Sequence, residues 1–293
     1  MPKIKYRFLP YLYVLPSMLI LMIIIIYPLC FSLYYSFQHW NLQTSPFPGG
    51  FVGFANYINV FKDQTFIQSF VNTFKLSFPI VIIEFVLGLG IALLFNEKLK
   101  GGNLFRALLI MPITIAPMVT GFLFRYLFYK NGLISYILSL IGIQIPNEGI
   151  LGNAITAFLA IAFTDIWQWT PFFAIILFAG LQSIPIQLNE AAEIDGASFS
   201  QILWYISLPH MKFVILFTAM IRFAITFNLF DIIKAETMGG PGTATRTLSY
   251  NLYYEGLVNY NIGYSFAIAW IMIFTIIIIV NVFIKFTFKP EEL

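Results

Sequence analysis

Glu190-Ala191-Ala192-Glu193-Ile194-Asp195-Gly196-Ala197-Ser198-Phe199-Ser200-Gln201-Ile202-Leu203-Trp204-Tyr205-Ile206-Ser207-Leu208-Pro209 is a polar, amphipathic island set between two long apolar segments. Asn189 is placed to cap a helix starting at Glu190, with acidic residues at the favourable amino end. On that reading Glu190, Glu193 and Asp195 need no partner. Gly196 permits a bend or a close backbone approach. Phe199, Ile202, Leu203 and Ile206 recur at helical spacing and form one apolar stripe. Pro209 marks the entry to the next apolar segment. Spacing alone leaves two readings open, an interfacial helix lying on a membrane or a docking surface for a soluble partner.

The sequence around the island sets the class. Of 293 residues, 59% are hydrophobic and 10% are charged. Soluble domains carry roughly 25% charged residues, so a water-exposed surface could not be covered here. The expectation is an all-α, polytopic membrane protein. A transmembrane helix needs ~20 mostly apolar residues, and six segments qualify: 10–37, 70–95, 104–128, 154–181, 213–233 and 262–286. Turn-forming breaks separate them at 96–103, 144–153 and Met238-Gly239-Gly240-Pro241-Gly242. The amino end resembles a signal peptide, with Lys3, Lys5 and Arg7 before apolar sequence. The apolar run is too long for one and lacks a small-x-small cleavage site, so it reads as an uncleaved first span. With no internal repeat or low-complexity linker, the whole of 1–293 reads as a single membrane domain with its core at about 66–286.

The Lys/Arg bias gives an orientation. With the amino terminus inside, the inner flanks hold nine basic residues: Lys3, Lys5, Arg7, Lys98, Lys100, Arg106, Lys212, Lys285 and Lys289. The outer loops hold five: Lys62, Lys75, Lys130, Lys234 and Arg246. Both termini are expected in the cytoplasm, which places the island at 190–209 on the cytoplasmic face. The first outer loop, about 38–68, carries Trp40, Phe47, Phe51, Phe54 and Tyr57, suited to the membrane interface.

Several chemistries are excluded. A net charge of +3 without a basic run argues against nucleic acid. Cys30 is the single cysteine, so no intrachain disulfide forms, and Leu29 before it is too large for a lipoprotein cleavage site. His39 and His210 are the only histidines. Neither a metal site nor a Ser/His/Asp arrangement can be built from them. No Gly-x-x-x-x-Gly-Lys-Ser/Thr loop is present, so any ATP is bound by another chain.

Ionisable residues inside spans are costly and mark function by default. Glu84, Asp165 and Arg222 are three of them. Asp165-Ile166-Trp167-Gln168-Trp169-Thr170-Pro171 mixes hydrogen-bonding groups with indoles, the combination that recognises sugars. An interfacial aromatic belt explains it equally well. Pro171 is placed to open the helix locally, as in broken transport helices. Thr226, Asn228 and Asp231 are polar positions among Phe223, Phe227 and Phe230. They line a pathway or bond a neighbouring helix. Arg222 and Glu84 fit a structural ion pair, whereas an Arg facing the path would favour an anionic substrate.

The island also resembles the "EAA loop" of permease subunits of binding-protein-dependent ABC importers. That family carries Glu-Ala-Ala, three residues, Gly, nine residues, then Ile-x-Leu-Pro, and Glu190-Ala191-Ala192, Gly196 and Ile206-Ser207-Leu208-Pro209 fit without a gap. Leu203 stands where many members have Phe. Further stretches resemble the sugar branch of the family: Tyr27-Pro28, Phe51-Val52-Gly53-Phe54-Ala55-Asn56-Tyr57, Gly180-Leu181-Gln182-Ser183-Ile184-Pro185 and Thr237-Met238-Gly239-Gly240-Pro241. The last points to the first permease of a pair, maltose-type or glycerol-3-phosphate-type. The resemblance implies a type I importer permease (MetI-like) fold in a bacterial or archaeal cytoplasmic membrane. It implies coupling to an ATPase through Glu190, Ala191, Ala192, Asp195, Gly196, Ala197, Ile206, Leu208 and Pro209. Matched position by position, it implies sugar binding by Asp165, Gln168, Trp169 and Phe172 on one wall and by Thr226 and Asn228 on the other. Asp165 stands where maltose-type members carry an amide. The implied partners are a second homologous permease, two ATPase subunits, an extracytoplasmic binding protein, membrane lipid and a carbohydrate, an oligosaccharide first. A phosphorylated polyol such as glycerol 3-phosphate is the competing substrate, and a membrane-embedded enzyme the competing class. No cofactor and no metal are expected in this chain.

Overall fold

The computed structural model describes residues 9–97 and 102–287. Lys3, Lys5, Arg7, Lys98, Lys100 and Lys289, used above for orientation, lie outside the described residues. In chain order the helices are α1 (Leu9–Leu21), α2 (Tyr27–Ser36), α3 (Ala55–Lys62), α4 (Gln64–Asn96), α5 (Gly102–Thr114), α6 (Pro117–Leu127), α7 (Leu133–Leu140), α8 (Ala154–Gln182), α9 (Ile186–Ile194), α10 (Phe199–Ile202), α11 (Leu208–His210), α12 (Lys212–Phe227), α13 (Asp231–Glu236), α14 (Leu248–Tyr253) and α15 (Ile262–Thr287). Among the described residues, β pairing is confined to two isolated bridges, Gln38 with Phe51 and Asn41 with Asn261. The all-α reading holds.

Five helical segments are long and apolar enough to cross a membrane: Tyr13–Ser36, Gln64–Asn96, Ala154–Gln182, Lys212–Glu236 and Ile262–Lys285. The expected third span differs. It is two helices, Leu104–Thr114 and Pro117–Leu127, bent by 96°, and the count reaches six only when this pair is one span. The cause is local. Pro117 pushes the preceding residue out of the helical region, and Ala116 takes an extended conformation (φ −60°, ψ 135°). Conversely, α8 runs unbroken through Pro171, so the local opening expected there does not occur.

Two prolines are accommodated differently. Widened π turns at Met22–Ile26 and Leu203–Ser207 precede Pro28 and Pro209, each the second residue of the helix that follows. Proline supplies no N–H and crowds the carbonyl one turn back. An extra residue in the preceding turn relieves both.

The chain divides into two compact units. The first comprises residues 1–64 and 252–273. Its first span buries none of its apolar window against protein, as a lipid-facing helix does. The following loop is tied back by specific bonds. Asn56 Nδ2 donates to the carbonyls of Ser36 (2.8 Å) and Gln38 (2.9 Å), and the hydroxyls of Ser36 and Tyr57 lie 2.7 Å apart. These bonds satisfy carbonyls that the helix end leaves open. Phe51 and Phe54 stay exposed, in keeping with interfacial aromatics.

The second unit comprises 65–251 and 274–293. On α4 the buried positions Phe66, Ser69, Thr73, Leu76, Ile80 and Glu84 follow helical spacing. Helix α4 packs closely on α8, because a side chain at Gly88 would run into Phe173. Helix α6 packs as tightly on α13. A Cβ built at Gly121 would stand 2.6 Å from that of Ala235. Arg125 Nη1 adds a bond of 3.2 Å to the Ala235 carbonyl. The loop after α13 is anchored to α4 by Asn72 Nδ2, which donates to the carbonyls of Ala244 (2.9 Å) and Arg246 (3.0 Å).

Candidate functional site

Two sets of functional candidates lie in the second unit. The first is the island. Its leading helix, α9, starts at Ile186 with Pro185 at its cap position, four residues before the expected start at Glu190. Asn189 is therefore not a cap: it lies inside the helix with its Oδ1 buried and unbonded. The start is set by Ile184-Pro185, since Pro favours helix starts and discourages the turn before it. Glu190, Ala191 and Ala192 then fall in mid-helix, with Glu190 and Ala191 exposed.

Helix α9 ends in a double-bonded left-handed turn. Gly196 has φ +81°. Its N–H donates to the Glu193 carbonyl (3.0 Å), and the Ala197 N–H donates to the Ala192 carbonyl (2.9 Å). This is the Schellman arrangement, in which glycine avoids the Cβ penalty of a positive φ. Two residues on, a new helix starts. Gln201 N donates to Ser198 Oγ, and Ser198 N donates to Gln201 Oε1 (2.7 Å), a reciprocal capping box. The island is thus a helix–turn–helix with both helix ends locally satisfied, so it holds its shape without a partner.

Its surface is unpaired. Ile194 is 86% exposed and Tyr205 80% exposed, and Phe199 and Trp204 are also bare. The predicted apolar stripe is changed: the π turn at Leu203–Ser207 shifts the register, so Ile202, Leu203 and Ile206 are half-buried while Phe199 points outward. A cleft of about 290 Å³ is lined by Asp195, Gly196, Ala197, Gln201, Ile202 and Tyr205, among others. Nothing stands within 4 Å of a Cβ built at Gly196, so that face has room for an approaching chain. Leu208 and Pro209 open the short helix α11, which leads through Met211 straight into α12.

The second set surrounds Arg222. This residue, on α12, is fully buried. Its Nη2 donates to Glu84 Oε1 on α4 at 2.8 Å and to Asp165 Oδ2 on α8. The guanidinium also lies over the Trp169 ring, 4.8 Å from its centroid, a favourable cation–π geometry. Trp169 in turn meets Phe172 edge to face at 6.1 Å. The expected Glu84–Arg222 pair is present, and Asp165 joins it. One cation therefore bridges three spans.

The six residues assigned to substrate are not brought to one surface. Asp165, Gln168 and Thr226 are buried. Gln168 Nε2 donates to the Ile115 carbonyl, 2.7 Å away, at the bend of the third span. Thr226 Oγ1 donates to the Arg222 carbonyl. Trp169 and Phe172 are half-buried, and only Asn228 is exposed. A cavity of about 420 Å³ between α4, α5 and α8 is lined by Leu87, Ile91, Leu108, Pro112, Phe163 and Pro171, among others, and by none of the six.

Sequence reasoning missed Glu236, which ends the fifth span, is 2% exposed and has both oxygens unbonded. An acidic residue closing an apolar run directly before Gly239-Gly240-Pro241 was the available signal. It also missed the break in that span at 228–230, where α12 gives way to α13.

The description "Binding-protein-dependent transport system inner membrane component" belongs to the family model that matches residues 84–288. The chain is 37% identical over 270 residues to the trehalose/maltose transport system permease protein MalF of Thermococcus litoralis, covering 91% of this chain and 90% of that protein. It is 32% identical over 280 residues to the sn-glycerol-3-phosphate transport system permease protein UgpA of Escherichia coli O157:H7, covering 95% and 93%. Among solved structures it is similar to a chain of a bacterial ABC transporter involved in the import of the acidic polysaccharide alginate. There the TM-score is 0.83 and the identity 23%, with 97% of this chain and 96% of that one covered. A chain of the MetNI methionine ABC transporter matches at a TM-score of 0.55 and 17% identity, over 75% and 94%. These two structures bear on fold alone.

Proposed function

This chain belongs to the family of binding-protein-dependent transport system inner membrane components, and from that premise we propose that it translocates an uncharged carbohydrate as one permease of an ABC importer. Its partners are a second, homologous permease, two ATPase subunits that bind and hydrolyse ATP, and an extracytoplasmic binding protein that delivers the sugar. The island at 190–209 faces the cytoplasm and seats on an ATPase subunit. Closure of the ATPases moves α9 to α11, and through Met211 the base of α12. The permease thereby alternates between faces of the membrane.

The observation that carries this reading is the island. It is pre-shaped by the Gly196 turn and the Ser198–Gln201 capping box, apolar and exposed at its tip, and directly continuous with a span. Such a surface is costly to leave bare in water and suits a rigid docking contact. Carbohydrate is supported by the trehalose/maltose relative and by the adjacent, half-buried rings of Trp169 and Phe172 on α8.

A phosphorylated polyol is the second reading, favoured by the glycerol-3-phosphate relative. Against it, the charge of Arg222 is already shared between Glu84 and Asp165. The test is ATP hydrolysis by the complete complex in proteoliposomes, with its binding protein loaded in turn with neutral oligosaccharides and with glycerol 3-phosphate. Stimulation by a neutral sugar alone is expected. Stimulation by glycerol 3-phosphate alone transfers the assignment to the second reading.

A further inference from the structure

The interior charge network is half made. A guanidinium has five donors in a planar fork and satisfies two carboxylates best with paired, parallel bonds. Here Nη2 alone serves both Glu84 and Asp165, while Nε and Nη1 of Arg222 are buried without partners. The second oxygens, Glu84 Oε2 and Asp165 Oδ1, are buried and unbonded too. In a low-dielectric interior, unused donors and acceptors of charged groups are expensive, so this arrangement is not the only one the side chains serve.

A further carboxylate lies near Asp165. Glu236 is buried with no close hydrogen bond to either oxygen, and it faces the Thr164 hydroxyl and the Asp165 carboxylate. It lies on the same span as Arg222 but across the break at 228–230, where Phe230 caps the start of α13 (φ −116°, ψ −53°). The two sides of that break are held differently. Helix α13 is locked to α6 through Gly121 and Ala235, whereas α12 begins immediately after the island. Displacement of the island is then carried to Arg222 relative to Glu236 about a joint where the α-helical ladder gives way to the short-turn bonds of Asn228 N–H to the Ile225 carbonyl (3.1 Å) and Leu229 N–H to the Thr226 carbonyl (3.0 Å).

We infer that Arg222 is a partner-exchange switch: it pairs with Glu84 and Asp165 in the conformation described here, and with Asp165 and Glu236 in the opposite access state. Asp165 is the pivot common to both. Glu84 and Glu236 are alternative partners, each stabilising one state. The exchange keeps the buried cation paired through the transport cycle, so its movement does not cost the full penalty of an isolated charge in the membrane. Arg222, Glu84 and Glu236 are positioning residues and need not touch the sugar. The inference rests on the transport reading above.

The test uses the complete complex, with Glu84→Gln and Glu236→Gln, each isosteric. Basal ATP hydrolysis is measured without binding protein. Because the two substitutions remove the favoured partner from opposite states, they are expected to shift basal hydrolysis in opposite directions from wild type, about fivefold or more apart. A merely structural ion cluster would move both in the same direction, and that result, or a Glu236→Gln complex indistinguishable from wild type, overturns the inference. A second measurement needs no change in the cluster. Spin labels at the exposed positions Tyr126 on α6 and Phe217 on α12, in a Cys30→Ser background, report the distance across the joint. Two distances exchanged by a non-hydrolysable nucleotide are expected, and one distance indifferent to nucleotide contradicts the switch. Stimulation of the wild-type complex by its loaded binding protein tests the transport reading separately, so failure of the switch leaves that reading standing.

Discussion

Gln168 Nε2 donates to the main-chain carbonyl of Ile115 across 2.7 Å, joining the middle of α8 to the bend in the third span. The bend exposes backbone that a membrane cannot hydrate, and this amide supplies one of the missing donors. Gln168→Leu removes the donor while keeping the bulk. The expected cost is ~1–3 kcal/mol, because the half-buried Ile115 carbonyl loses its donor at a bend in a membrane span. Thermal unfolding of the purified complex reads this directly. A lowered midpoint for Gln168→Leu is predicted, and an unchanged midpoint means that the carbonyl finds another donor.

The contact of α6 with α13 depends on the absence of a side chain at Gly121. Gly121→Leu should disrupt it, since a Cβ there already stands 2.6 Å from that of Ala235, and overpacking of this kind costs ~1–3 kcal/mol or more. Gly90 is the matched control, with nothing within 4 Å of its Cβ position. Gly121→Leu should lower the yield of monodisperse complex on size-exclusion chromatography, with Gly90→Leu near wild type. Equal yields would place the helix contact elsewhere.

Asn228 is exposed and bonds only its own turn, donating to the Ala224 carbonyl at 2.9 Å. Stability should therefore not depend on it. As a sugar contact on the path, its loss should cost ~1–3 kcal/mol of binding, or roughly a tenfold fall in transport rate at limiting sugar. Uptake and thermal stability of Asn228→Ala, measured side by side, separate the two roles. Normal uptake removes Asn228 from the path.

Orientation is testable at two exposed aromatics. Phe47 lies in the first loop and Tyr205 on the island, and both are well exposed. Cysteines at these positions, in a Cys30→Ser background, are probed with an impermeant thiol reagent on intact cells. Position 47 should label and position 205 should not, as the basic-residue bias requires. The reverse pattern would invert the topology.

How much of this was legible beforehand differs from feature to feature. Apolar run length located the spans, because a bilayer demands ~20 apolar residues whatever they pack against. The behaviour of individual prolines was not legible. Pro171 and Pro117 look alike in sequence, yet α8 passes through one and the third span breaks at the other. The effect of Pro117 on Ala116 is local, but the donor that serves the broken backbone at Ile115, Gln168, comes from another helix. The Glu84–Arg222 pair was foreseeable from the cost of lone intramembrane charges. Asp165 read as a sugar ligand because its neighbours are indoles. Its partner Arg222, 57 residues away, is a matter of tertiary packing. On the island, the Gly196 turn followed from local chemistry, whereas the helix start was misplaced because Asn189 offered a plausible cap and Pro185 a better one.

The central claim, that the island delivers the work of ATP hydrolysis to this chain, is tested most directly by site-specific photo-crosslinking. A photoreactive amino acid replaces Tyr205, which is 80% exposed beside the Gly196 cleft, and the intact complex is irradiated in its membrane. Capture of an ATPase subunit is predicted from position 205, with loss of that product when Gly196→Trp fills the open face. Crosslinking of position 205 to lipid alone, with the ATPase subunits present and active, would contradict the account.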